Sequence, residues 1–266
     1  MSLTHPGGPL APRHPAAVNY RIDGPAHVLF QHPFPRRVRA LLDGRTVLDT
    51  VRGTLVHETG LPPQLYVPRE DVRTDLLVPS DHRTHCPFKG DAAYASVSAG
   101  GRVAQNALWH YPDPVPAAAW LRGLVALYWD RMDTWLDEDD EVFGHLADPY
   151  HRVDVRPASR RVRVLADGVE IAATHRAMLL SETGVPNRFY VPWADVRAVH
   201  VEPAVTRTDC PYKGRASHGS LHAGDLRLPG AAHWYPEPLP EAARVAGHVC
   251  FTGEGVETRC EDPEAD

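Results

Sequence analysis

Cysteine and methionine are scarce in this chain, with four Cys and three Met among 266 residues. The four Cys are unevenly spaced and none forms a C-x-x-C pair, so neither a secreted disulfide framework nor a paired-knuckle zinc site is expected. Positive charge is also short: 28 Lys and Arg face 34 Asp and Glu, a formal net charge of −6. That balance provides no general attraction for phosphate backbones and argues against a nucleic-acid partner. Long apolar runs are missing too. The longest, around residues 120–129, is interrupted by Arg122 and is too short to span a bilayer. The first twenty residues contain no apolar stretch of signal-peptide length. These absences predict a cytoplasmic protein with no membrane partner. No G-x-S-x-G elbow, Walker loop, dinucleotide fingerprint or H-E-x-x-H occurs, and no cofactor is expected.

Proline is what the chain has in excess. Its 26 copies are nearly double the roughly 5% of average usage. Proline lacks an N–H and breaks helix interiors, so this density argues against a helical bundle. Hydrophobic residues at 43% and charged residues at 23% are ordinary for a folded protein. The length suggests two domains at about 150 residues each. Sixteen His make the net charge sensitive to mild acid.

Self-comparison fixes the organisation. Glu58-Thr59-Gly60 recurs as Glu182-Thr183-Gly184, Cys86-Pro87 as Cys210-Pro211, Lys89-Gly90 as Lys213-Gly214, and Tyr111-Pro112 as Tyr235-Pro236, each after 124 residues. Over residues 27–128 this one gapless shift matches roughly 40 of about 100 positions, which denotes two copies of a whole domain rather than a solenoid. The expected layout is a Pro-rich disordered tail at 1–26, a first β domain at 27–132 and an acidic linker at 133–150. A second β domain follows at 151–252, then an acidic tail at 253–266.

Within each copy the pattern is that of short strands. Residues 37–42 and 161–165 alternate charged and apolar side chains with period two, as a half-buried strand does. Asp43-Gly44 and Asp167-Gly168 then supply hairpin turns. Tyr66-Val67-Pro68 and Tyr190-Val191-Pro192 read as strands closed by proline. Residues 114–119 suit one helical turn, and 121–128 suit a buried strand equally well. Two compact antiparallel β domains are expected.

Three repeated constellations carry candidate chemistry. In T-x-C-P-[FY]-K-G, a thiol stands three residues from an ammonium, which favours the thiolate. The catalytic reading makes Cys86 a nucleophile and Lys89 its activator, with Cys210 and Lys213 as their counterparts; the plainer reading is a buried Cys acting as a small hydrophobe. Glu58 and Glu182 stand beside Gly–Pro turns, where a carboxylate can act as general base, anchor a ligand amine or organise the turn. Trp109, Tyr111, Trp234 and Tyr235 offer flat apolar walls with polar tips. The Trp shifts by one place between copies, which on a strand reverses its face. A metal is not expected, because His82 and His85 near Cys86 have no counterparts in the second copy.

These elements in this order (the Asp-Gly hairpin, E-T-G-x-P, Y-V-P-x-x-D-V-R, T-x-C-P-[FY]-K-G and Y-P-[DE]-P) resemble the bacterial family called domain of unknown function 427, over nearly all of both copies. The resemblance implies a β-tent, two small antiparallel sheets meeting at an angle, as in methionine sulfoxide reductase B and the ligand-binding domain of cereblon. Zinc and reductase chemistry do not carry over, because the C-x-x-C knuckles and redox motifs of those proteins are absent here. A nucleotidyltransferase label sometimes attached to the family needs clustered carboxylates for Mg²⁺, and the matched regions have no D-x-D pair.

The expectation is a small-molecule binding protein, with enzymatic activity left open, one pocket per copy and an unidentified ligand. Glu58, Cys86, Lys89, Trp109 and Tyr111 would line the first pocket, and Glu182, Cys210, Lys213, Trp234 and Tyr235 the second. The alternative is a non-catalytic interaction module with two similar faces. The sequence leaves oligomeric state open.

Overall fold

A computed structural model describes Asn19 and residues 24–197, 200–223 and 225–261. The expected tail at 1–26 falls almost wholly outside them, as do residues 262–266. The chain divides into two compact units, 1–150 and 151–266. Both are mainly β with antiparallel pairing throughout. Among the described residues no helix is long and apolar enough to cross a membrane.

In the first unit the strands are β1 (Leu29–Phe34), β2 (Val38–Leu42), β3 (Arg45–Thr50), β4 (Gly53–Glu58) and β5 (Leu61–Pro68). They continue with β6 (Leu77–Cys86), β7 (Gly90–Ala99), β8 (Arg102–His110), β9 (Leu124–Leu127), β10 (Thr134–Asp137) and β11 (Asp140–Val142). A seven-stranded sheet runs β1-β4-β5-β9-β8-β7-β6, and a four-stranded sheet runs β11-β10-β2-β3. The Asp43-Gly44 turn joins β2 to β3 with positive φ at both residues, 48° and 71°, as a two-residue hairpin of this twist requires. Residues 116–121 form the expected helical turn, of 3-10 type, ahead of β9.

Strand alternation gives the large sheet two apolar faces. Leu55, Leu65, Val67, Leu108, Val125 and Leu127 join Val38, Ala40, Leu42 and Leu48 of the small sheet in one core. Their neighbours Val56, Tyr66, Trp109 and Ala126 point the other way, into a second cluster with Tyr94 and Tyr111. The first core holds the sheets together. Truncating Leu55 or Leu108, each 1% exposed, to Ala would cost about 2–5 kcal/mol. The second cluster builds the site.

The second unit repeats this plan with β12 (Val153–Pro157), β13 (Val162–Ala166), β14 (Val169–Thr174), β15 (Met178–Glu182) and β16 (Val185–Pro192). After them come β17 (Val201–Cys210), β18 (Gly214–Ala223), β19 (Leu226–Trp234), β20 (His248–Phe251) and β21 (Val256–Cys260). Its sheets run β12-β15-β16-β20-β19-β18-β17 and β14-β13-β21.

Two segments differ from the expected layout. Part of the acidic stretch assigned to a linker is strand, with β10 pairing β2 and β11 pairing β10. Trp135 anchors it, buried and stacked on Trp129 at 4.3 Å between ring centroids. Its acidic side chains meet arginines just before and within β2: Asp137 binds Arg36 at 2.7 Å, and Asp139 binds Arg39 at 2.8 Å. The stretch read as an acidic tail likewise contributes β21, paired with β13 along five residues, Val162–Ala166. Charge made both segments look solvated, whereas each gives its backbone to a sheet and Asp137 is nearly buried against Arg36.

Candidate functional site

Glu58 closes β4, and Lys89 stands in the tight turn between β6 and β7. That turn is held at both ends: Lys89 N–H donates to the Cys86 carbonyl at 3.2 Å, and Val115 N–H donates to the Lys89 carbonyl at 3.1 Å. Gly90 has φ +105°, and a Cβ there would lie 3.2 Å from the Asp113 carbonyl. The Tyr-Pro-Asp-Pro element is therefore the surface on which the Lys-Gly turn rests. So placed, Lys89 donates from Nζ to Oε2 of Glu58 in a pair about one-tenth exposed. His27 Nε2 lies 2.9 Å from the other carboxylate oxygen, and its ring stacks on Phe88 with centroids 3.6 Å apart.

The second unit reproduces this corner. Lys213 Nζ and His151 Nε2 both bond Glu182 Oε1, the latter at 3.1 Å, and His151 stacks on Tyr212 at 3.9 Å. Burial opposes ionisation of Glu182, but the hydrogen bonds from His151 and Lys213 prevail and hold its carboxyl at about 2. His27 and His151 are the site residues that sequence reasoning missed. Their signal was available, because they are an identical pair at the start of the region matched under the 124-residue shift.

Thr59 and Thr183 explain the rest of E-T-G. Each hydroxyl accepts from the first backbone N–H after that histidine, Val28 or Arg152, at 2.9 Å. Asp71 and Asp195 of the Y-V-P-x-x-D-V-R element bind Thr50 and Arg52, and Thr174 and Arg176. These latter contacts are scaffold and lie apart from the Glu–Lys corner.

A cavity of about 440 Å³ opens beside the first corner, walled by Glu58, Lys89, Tyr66, Tyr94, Trp109 and Tyr111. Tyr128, Trp129 and Gln64 extend the wall. The Trp109 indole N–H donates to the Tyr66 hydroxyl at 3.1 Å, which fixes the ring edge-on. Lys89 Nζ sits 6.0 Å from the Tyr111 ring centroid, within reach of its π face. Burial pushes the Tyr66 and Tyr111 hydroxyls well above their ordinary range, so both remain donors at neutral pH. A cavity of aromatic and aliphatic walls with one ion pair among them can receive a planar or apolar body and orient a polar head group.

Of the expected site residues, Glu58, Lys89, Trp109 and Tyr111 meet at this cavity. Cys86 does not line it; partly buried at the end of β6, it packs against the aromatic cluster. Cys210 packs against the corresponding cluster of the second unit, which includes Tyr235. Trp234 is displaced from the expected pocket. It faces the core between the sheets, edge-on to Trp193 at 5.0 Å, because one residue of shift on a strand reverses the side chain. His233 takes the equivalent of Trp109, with Nε2 3.2 Å from the Tyr190 hydroxyl. Tyr94 likewise gives way to His218, and both are held by a threonine: Thr84 at 2.9 Å and Thr208 at 2.8 Å. Among the described residues no group of three or more His, Cys, Asp or Glu is placed to hold a metal ion.

A model of the family described as domain of unknown function (DUF427) matches residues 31–138 and 154–262. The two matches cover most of the chain, which belongs to that family and carries its domain twice. No curated protein matches the chain.

Proposed function

We propose that this tandem member of the family binds a small molecule, with one binding corner per repeat formed where the T-x-C-P-[FY]-K-G turn meets the E-T-G turn. The observation that carries the reading is the Glu58–Lys89 ion pair set in the wall of a cavity lined largely by aromatic and aliphatic side chains. Burying an ion pair costs desolvation that apolar residues would avoid, and both units keep one at matched positions. Lys89 would bind an acceptor group of the ligand, Glu58 and the tyrosine hydroxyls would complete its polar contacts, and Trp109 would cover its flat face.

The test is native mass spectrometry of freshly purified full-length protein against its denatured mass, followed by Trp109 fluorescence titration with any compound released. An added mass lost on denaturation, absent from Lys89→Met, supports the reading. A compound that binds wild type, Lys89→Met and Trp109→Phe equally well would remove it.

A further inference from the structure

The two corners share a skeleton but differ in charge. Under the 124-residue shift Gln64, which lines the first cavity, becomes Arg188. Alternation along β16 places Arg188 on the face of Tyr190, while Phe189 and Val191 between and beyond them join the core between the sheets. Arg188 is half-buried, and among the described residues it has no hydrogen-bond or ion-pair partner. Its charge bears on Tyr190, His233 and Tyr235, three side chains of the second unit's counterpart of the first cavity's wall, and on the buried Cys250 behind them.

Other exchanges act in the same direction. Trp109 becomes His233, Tyr94 becomes His218, Tyr128 becomes Thr252 and Trp129 becomes Gly253, so flat apolar walls give way to smaller or polar side chains. In the first corner Glu58 and Lys89 cancel. In the second, Glu182 is satisfied by Lys213 and His151, leaving the Arg188 guanidinium over.

We propose that the second unit's corner is an oxyanion site, taking a ligand whose head group is a carboxylate or a phosphate ester, and that the first unit's is not. This rests on reading the Glu–Lys corners as ligand walls. A guanidinium presents paired N–H donors that match two oxygens of such a group. The Tyr235 hydroxyl, on the same wall, is a further donor, while that of Tyr190 is engaged with His233 Nε2.

The experiment uses the full-length chain with benzoate, phenyl phosphate and neutral benzamide as probes, followed by NMR at the His233 ring C–H and the Trp109 indole N–H. Benzoate or phenyl phosphate should shift His233 saturably, and Arg188→Gln should weaken that response by at least about tenfold, the value of a charged hydrogen bond. Arg188→Lys should keep part of it, and Gln64→Arg should make the Trp109 signal respond to anions. Response to benzoate alone assigns a carboxylate, and to phenyl phosphate alone a phosphate ester. No anion response at His233, or an unchanged one in Arg188→Gln, overturns the proposal. If benzamide still shifts Trp109 in that case, the general pocket reading survives; if no probe shifts either signal, both fall.

Discussion

The Trp109 indole and the Tyr66 hydroxyl meet at 3.1 Å, and in the second unit the same tyrosine position, Tyr190, meets the His233 imidazole at 3.2 Å. The scaffold thus preserves a hydrogen bond while exchanging the ring that makes it. A large hydrophobic wall becomes a titratable one, with the hydroxyl held in place. Two corners of the same construction thus present different rings to their surroundings.

The ion pairs should be costly to break and cheap to replace. Lys89→Met leaves the Glu58 carboxylate in a nearly closed site, and a loss of about 3 kcal/mol is expected. Adding Glu58→Gln should recover most of that loss, since the buried carboxylate that has lost Lys89 is then gone. Urea denaturation of the two single variants and the double variant measures the coupling. A single-variant loss below about 0.5 kcal/mol would mean that the pair is solvated, as exposed pairs are.

Acid should weaken the second unit in two separate stages. Burial pushes the His233 imidazole down from 6.5 to about 4, so the unfolded chain takes up a proton that the folded one refuses. Its contribution is complete above pH 6.5 and is lost as pH falls towards 4. Glu182, lowered from 4.5 to about 2, contributes fully above pH 4.5 and loses that contribution as pH falls towards 2. Each stage is on the order of 3 kcal/mol by linkage. His233→Phe should flatten the upper stage and Glu182→Gln the lower, as read from urea midpoints across the two windows. A profile unchanged by both substitutions would refute the assignment.

Much of this was legible in the sequence. The repeat and the hairpins at Asp43-Gly44 and Asp167-Gly168 follow from local pattern; the period of two also pointed to a reversed face for Trp234, yet it was expected in the second pocket and lies in the core. The Glu58–Lys89 meeting did not, because the residues are 31 apart and only the sheet order brings them together. His27 and His151 were passed over for the same reason: each is isolated in sequence, and its partner is also 31 residues on. The strands β10 and β21 were hidden by composition, since acidic residues read as solvated chain until their arginine partners are seen.

Cysteine chemistry should contribute little. Cys86 lies outside the cavity lining, so Cys86→Ser should leave ligand affinity and any activity unchanged within about twofold, equivalent to a few tenths of a kcal/mol. Burial pushes the Cys250 thiol up to about 12, and it should be the last of the four to react with a thiol reagent in the native protein. Mass spectrometry of timed alkylation gives the order. Prompt labelling of Cys250 in folded protein would contradict its burial.

Three glycines separate strain from crowding. Gly60 has φ +80° with open space around it, so Gly60→Ala should cost only the backbone penalty of about 1 kcal/mol. Gly90 and Gly214 combine positive φ with a carbonyl at 3.2 and 3.0 Å from the added Cβ. Their Ala variants should lose about 2 kcal/mol or more and loosen the Lys turn. Thermal melting ranks the three, and an equal loss at all of them would show that the close approach to residues 113 and 237 is inconsequential.

The small sheets have a further consequence in the order of synthesis. Strand β2 receives β10 only after almost one hundred intervening residues, and β13 waits equally long for β21. Such distant pairings slow folding, because the intervening loop must be closed before they form. On the ribosome the first unit can complete its sheet while the second is still being made. The second keeps one edge of β13 open until residues 256–260 are available to pair with it, so during synthesis it presents an unpaired strand edge for that whole interval.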